Sequence, residues 1–368
     1  MIPGCLAAGV FMAGVVRVPA ADKPAAAALA WSPEAAARYL DSRESWWQGW
    51  DRAQKDHGTL CISCHTQASY ALSRPALRGK ASERAPSPQE QVMLASIEKR
   101  VRQWNDMQPF YSDAVYGTGK EVESRNAESV LNALILANYD AGDGHLSGLT
   151  RMAFDHAWTL QTKSGADTGS WVWQNFDYTP WESKESQYHW AALMAVAVGK
   201  APEGYRDDPR IASNLAALLG YLRSHYDAQP LVNKVVAMWA DKYFPGAVSD
   251  DQMHAAVDEL NRLQHEDGGW NLAELGTWKR RDGTALETRS DGYATGLVVL
   301  VLEESVLNSN ENPHVARGLA WLETHQDKAT GAWPAWSLNK NRDPNSDVGK
   351  FMSDAATSYA VLALEDRR

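Results

Sequence analysis

The sequence predicts an all-α chain arranged as a closed ring of six helix pairs, from three observations. Helix-like apolar runs dominate, and no run keeps the period-2 alternation of a half-buried strand. A motif recurs at the ends of three of these runs: Leu263-Gln264 followed by Gly268-Gly269-Trp270, Leu160-Gln161 followed by Gly169-Ser170-Trp171, and His325-Gln326 followed by Gly331-Ala332-Trp333. The second, more apolar run of a pair begins near Cys64, Arg125, Gln187, Asp291 and Asp354, in steps of 61, 62, 104 and 63 residues, the long step spanning two pairs. A period near 60 marks a repeat architecture. The last run, Ser358 to Leu364, is as apolar as the middle ones, whereas the end of an open array needs a polar cap. The first pair is its natural cover.

Helix starts are written in the local chemistry. Ser32-Pro33-Glu34 and Ser87-Pro88-Gln89 place a capping hydroxyl before a proline at the first helical position, where a missing N–H costs nothing. From these starts and the apolar runs, the outer and inner helices are predicted at Glu34–Asp56 and Cys64–Ser73, Gln89–Gln103 and Asn126–Tyr139, Leu149–Thr162 and Ser186–Val198. The remaining pairs are Arg210–Tyr226 and Leu231–Phe244, Asp250–Gln264 and Asp291–Val306, Pro313–Gln326 and Asp354–Glu365.

The bulk numbers bound the rest. The 368 residues are 44% hydrophobic and carry a net charge of −10, which argues against nucleic acid as a partner. Leu6 to Val16 is an apolar run followed by Val18-Pro19-Ala20, the pattern of an export signal, and it is too short to span a bilayer. The expected division is a signal over 1–20, a linker over 21–31 and one helical domain over 32–368, in a periplasmic or secreted protein without stable membrane insertion.

In such a ring the first turns of the inner helices, with their free N–H groups, surround the mouth of a central cavity. The residues falling there are Cys61, Cys64 and His65, then Glu123, Glu185 and His189, then Asp291, then Met352 and Asp354. Cys61-Ile62-Ser63-Cys64-His65 carries the strongest chemical signal. Two thiols three residues apart with an adjacent imidazole match covalent haem c, held by two thioether bonds with His65 on the iron. Met352 is the candidate sixth ligand, and an electron-transfer partner is then implied. A Cys61–Cys64 disulfide and a zinc site completed by His189 are the alternatives. The carboxylates Asp291, Asp354, Glu123 and Glu185 are candidate catalytic groups, and each is also a residue type favoured in a helix first turn. With Trp171, Trp173, Trp181 and Trp336 they provide the paired acids and aromatic faces of a glycan-active enzyme.

The Gln–Gly–Trp clasps and the helix start Ser290-Asp291-Gly292-Tyr293-Ala294-Thr295 resemble the squalene–hopene cyclase and prenyltransferase superfamily of α/α toroids. The resemblance covers most of residues 31–368 and implies an α/α toroid of one barrel. It also implies a small-molecule ligand, of isoprenoid class, in the central cavity. Hopene-type cyclases protonate an alkene with the middle Asp of an Asp-x-Asp-Asp-Thr-Ala run. Asp291 takes that position, but Arg289 and Gly292 stand where its acidic neighbours belong, so the proton-donor role is in doubt. The zinc ligands of protein prenyltransferases have no counterpart at matching spacing. A non-catalytic binding module remains the reading of a different class.

Overall fold

The computed structural model describes Met1 and residues 31–79, 83–305 and 312–365, so the export signal and most of the linker lie outside the described residues. Six outer helices are present: α1 (Pro33–Gly49), α3 (Pro88–Arg102), α6 (Gly148–Leu160), α8 (Ala212–His225), α10 (Asp250–Leu263) and α12 (Pro313–Thr324). Six inner helices alternate with them: α2 (Gln67–Ser73), α5 (Lys120–Asp143), α7 (Ser186–Lys200), α9 (Leu231–Asp241), α11 (Gly292–Glu304) and α13 (Phe351–Glu365). A one-turn α4 (Asp113–Tyr116) precedes α5. The expected starts hold: Ser32 accepts from the Ala35 N–H, and Ser87 and Glu90 form a reciprocal capping box.

Three local details differ from the expectation, the first being that the second inner helix runs Lys120–Asp143 and not Asn126–Tyr139. The first outer helix stops at Gly49, because the next residues enter a two-residue antiparallel hairpin, β1 (Gln54–Lys55) with β2 (Thr59–Leu60). The first inner helix begins at Gln67, not at Cys64, so the Cys61–His65 motif forms a turn ahead of the helix.

Inner and outer helices differ in what they bury. Helix α11 is buried from Gly292 to Leu302, whereas outer α10 buries only Met253, Ala256 and Leu260 on one face. Apolar residues all round mark a helix enclosed by neighbours. Contacts between inner helices run α2 to α5, α5 to α7, α7 to α9, α9 to α11, α11 to α13, and from α13 back to α2. The tightest approach is α11 to α13. A Cβ on Gly296 would lie 2.6 Å from the Ala360 nitrogen, so only glycine fits there.

The clasps explain how consecutive pairs are joined. Gln161 Nε2 donates to the carbonyls of Gly169 and Asn214, each at 2.9 Å. Gln264 Nε2 donates to Gly268 and His314, each at 2.8 Å, and Gln326 Nε2 donates to Gly331 at 2.9 Å and Ser32 at 3.0 Å. Each glutamine therefore ties its own glycine turn to the start of the next outer helix. The third treats α1 as the next helix after α12, and the Ser32 N–H answers with a bond to Gln326 Oε1 at 2.7 Å. Each glycine has positive φ, and a Cβ on it would strike a carbonyl of that next helix: Ala217, Arg317 or Ala35. Each tryptophan indole N–H closes onto its own outer helix, at Ala157, Leu260 or Leu322.

Candidate functional site

A buried polar cluster is assembled across the junction of first and last pairs. Asp354, in the first turn of α13, accepts from Arg43 Nε and Tyr39 Oη of α1, both at 2.8 Å, and from Thr66 Oγ1 at 2.7 Å. Arg43 and Asp354 are a buried ion pair, 4% and 2% exposed, and Arg43 reaches on to Asp347 at 2.9 Å. Burial raises the Asp354 carboxyl against the pull of Arg43, Thr66 and Tyr39.

The same network fixes His65. Its Nδ1 lies 2.8 Å from Thr66 Oγ1. The threonine proton is committed to Asp354, so its oxygen accepts from Nδ1–H, and the Nε2 lone pair is left open. Phe351 stacks on the imidazole at 3.7 Å, and Trp47 meets it edge-on at 5.3 Å. Burial, reinforced by Arg43 and Arg342, lowers the His65 pKa to about 3, so the ring is neutral. The Trp47 indole also holds the motif itself, donating to the Cys61 carbonyl at 2.8 Å.

Cys61 and Cys64 are buried free thiols. Burial pushes Cys61 up to about 12 and raises Cys64 well above the usual thiol range. Glu182 adds to both shifts from the end of the loop between α6 and α7. Backbone bonds to Phe176 and Tyr178 hold Glu182 in place; among the described residues its carboxyl accepts no hydrogen bond, and burial pushes it to about 7. Tyr111, packed on Phe176, lies against Cys61.

The other predicted residues are spread around the rim. Asp291 is the N-cap of α11. Its oxygens accept from the N–H groups of Ala294 at 2.8 Å and Leu272 at 2.7 Å, and burial pushes it to about 7. Glu123 takes Lys120 at 2.5 Å and the Asn175 N–H at 3.1 Å, tying α5 to the loop between α6 and α7, an aromatic loop over residues 171–182. Glu185 is exposed ahead of α7 and accepts from Ser183 at 3.0 Å. No hydrogen bond joins any two of these four carboxylates among the described residues. Met352 is buried beside Phe351. Of the aromatic loop, Trp171, Trp173 and Trp181 are buried, and Trp336 stacks under Arg289.

His189 is fully buried, and burial lowers its pKa to about 4. It shares with Cys64, Trp181 and Tyr359 a central void of about 10 Å³, room for about one water. Among the described residues, no three His, Cys, Asp or Glu side chains stand in a metal-holding arrangement.

Sequence reasoning placed His65 and Asp354 on the rim but missed the residues that join and flank them: Arg43, Thr66 and Glu182. Arg43 had a signal. It falls four residues after Tyr39, on the buried stripe of α1, where an arginine needs a partner.

Glu44, on the same helix, sets a pH dependence. It is fully buried, accepts from Gln48 and Gln67 at 2.8 Å, and burial pushes its carboxyl from 4.5 to about 7. A raised folded-state pKa gives stability that is complete below about 4.5 and is lost as pH rises through 7. Glu44 alone contributes about 3 kcal/mol in this direction, and Asp291 acts in the same sense. Thermal unfolding is therefore expected at a higher Tm at pH 5 than at pH 8. Glu44→Gln should raise the pH 8 value and flatten the profile; a Tm that climbs with pH across this window contradicts the assignment.

No protein-family model and no curated protein matches the chain. Among solved structures it is similar to a variant glycosidase and to a wild-type glycosidase. Identity is 13% in both, with 90% of this chain and 97% of theirs covered and TM-scores of 0.48 and 0.47. A likeness this distant says nothing about chemistry.

Proposed function

We propose that the Cys61–His65 turn is a c-type haem site on the rim of the ring, and that the exported protein carries electrons to or from a small ligand at the ring's mouth. The observation that carries the proposal is the Asp354–Thr66–His65 chain. A histidine that ligates a metal characteristically donates its other ring N–H to a carboxylate or an intervening group. His65 does so through Thr66, and its Nε2 stays open, two free thiols away from being a complete donor set. The donors thus fit the group.

When bound, haem supplies one-electron redox chemistry. The chain's own residues do the rest. Thr66 and Asp354 hold the tautomer that leaves Nε2 free. Arg43 balances the Asp354 charge. Phe351 and Trp47 fix the ring plane and keep water from it. Cys61 and Cys64 would hold the group; both thiols are buried and protonated in the folded turn, so they would be open to attachment only before it folds. Cys61→Ser and Cys64→Ala should each lose one thioether, and the double variant should lose the Soret band. His65→Met should keep the attachment and alter the spectrum. Unchanged spectra in both the double variant and His65→Met would overturn the proposal.

A second reading rests on Glu182. Its unpartnered carboxyl, near neutrality beside Tyr111 and Phe176, suits a general acid acting on a glycan or an isoprenoid. A hydrolytic or cyclising activity that falls above pH 7 and vanishes in Glu182→Gln would favour it; activity retained in that variant would remove it.

A further inference from the structure

A second site lies apart from the His65 cluster, on the face where the inner helices begin. Three loops and the start of α9 enclose a groove of about 840 Å³, within the range of ligand-binding clefts. The loops are laced together. Thr179 N donates to Asn339 Oδ1 at 3.0 Å, and Asn339 Nδ2 returns a bond to the Thr179 carbonyl at 2.7 Å. The Arg281 N–H donates to the Asn339 carbonyl at 3.0 Å, and its guanidinium holds the carbonyls of Phe176 and Asp177. Val232, in the first turn of α9, donates to Leu275 at 2.9 Å. The walls are thus set before any ligand arrives, which spares the ordering cost of binding.

The lining has a particular chemistry. Four acidic side chains, Asp177, Glu185, Glu259 and Glu274, face four basic ones, so the groove is charge-balanced on a chain whose net charge is −10. The one indole in it, Trp278, is half-buried and set against Gly276, where a Cβ would lie 2.5 Å from the ring. A polyanion would meet the four carboxylates, and a polycation the four cations. A peptide would need apolar side-chain pockets, and the lining is mostly polar. Interleaved acceptors and donors around one flat aromatic face suit a neutral, hydroxyl-rich chain. The hydroxyls bridge carboxylate and ammonium, and the C–H face of a ring lies on the indole.

We propose that this groove binds a neutral oligosaccharide, with Trp278 as the stacking platform and Glu185 among the hydroxyl acceptors. The site stands independently of the cofactor at Cys61–His65. Calorimetric titration of the full chain with cello-, xylo- and maltohexaose is the test, at low and high salt. At least one should bind, with an affinity unchanged by salt. Trp278→Ala should weaken it about tenfold or more, Trp278→Phe less, and Glu185→Gln by a smaller factor. No binding by any of the three sugars would overturn the proposal, as would equal binding by Trp278→Ala. A salt-sensitive preference for a charged polysaccharide or a mixed-charge peptide would overturn it too. Circular dichroism of each variant separates lost binding from lost folding.

Discussion

Arg43→Ala is expected to lower the unfolding free energy by about 3–5 kcal/mol, the usual result of stripping one partner from a buried ion pair. The residue satisfies Asp354 and Asp347 at once, and Asp354 is 2% exposed. Removing the guanidinium leaves a carboxylate with only two hydroxyl donors in a desolvated site. It also removes one of the two α1 side chains that bond Asp354 of α13, leaving Tyr39 alone. Arg43→Lys should recover little, because a single ammonium cannot reproduce the fork that spans both carboxyls. Equilibrium denaturation of both variants measures this. A loss under 1 kcal/mol for Arg43→Ala would show that the pair contributes little to the junction.

Gly331→Ala is expected to be nearly as damaging, and Gly283→Ala separates the causes. Both glycines have positive φ, +85° and +72°. Around Gly283 a Cβ meets nothing within 4 Å, so its replacement should cost only the left-handed backbone penalty of about 1–2 kcal/mol. At Gly331 the Cβ would sit 2.3 Å from the Ala35 carbonyl oxygen. That oxygen belongs to α1 and does not yield without the helix, so the overpacking term adds and the total reaches about 2–5 kcal/mol. The displacement also pulls Ser32 from Gln326, the bond pair that makes α1 the successor of α12. Equal losses for the two variants would mean that α1 and the Gly331 turn are not held together in solution.

Much of the architecture could be read from local sequence because its signals are local. Ser32-Pro33 and Ser87-Pro88 start helices wherever they occur, and the spacing from Gln264 to Trp270 describes a turn closed by its own residues. All six pairs were predicted in their order along the chain, with individual helix ends displaced by up to seven residues. The partners of the clasps were not legible. Gln326 and Ser32 are 294 residues apart, and nothing periodic announces that one glutamine serves two helices. The site divides in the same way. His65 and Asp354 stand out by type and position, but the hydroxyl between them belongs to Thr66, an unremarkable residue until the last helix is brought beside the first. Asp291 shows the converse: its position was legible, and its two oxygens turn out to cap α11 and the Leu272 turn. The early stop of α1 and late start of α2 share one cause. The Cys61–His65 turn is held by Trp47 and by the Cys61 N–H bond to the Ala53 carbonyl, and those tertiary contacts override helix periodicity.

The absorption spectrum and denatured mass of the purified protein decide whether the Cys61–His65 turn holds a haem. A Soret band should be present, and one haem should remain on the polypeptide after denaturation, through both cysteines. A colourless chain of unmodified mass, recovered from a host able to attach haem to exported proteins, would contradict the proposal and leave Glu182 as the reactive group of the rim.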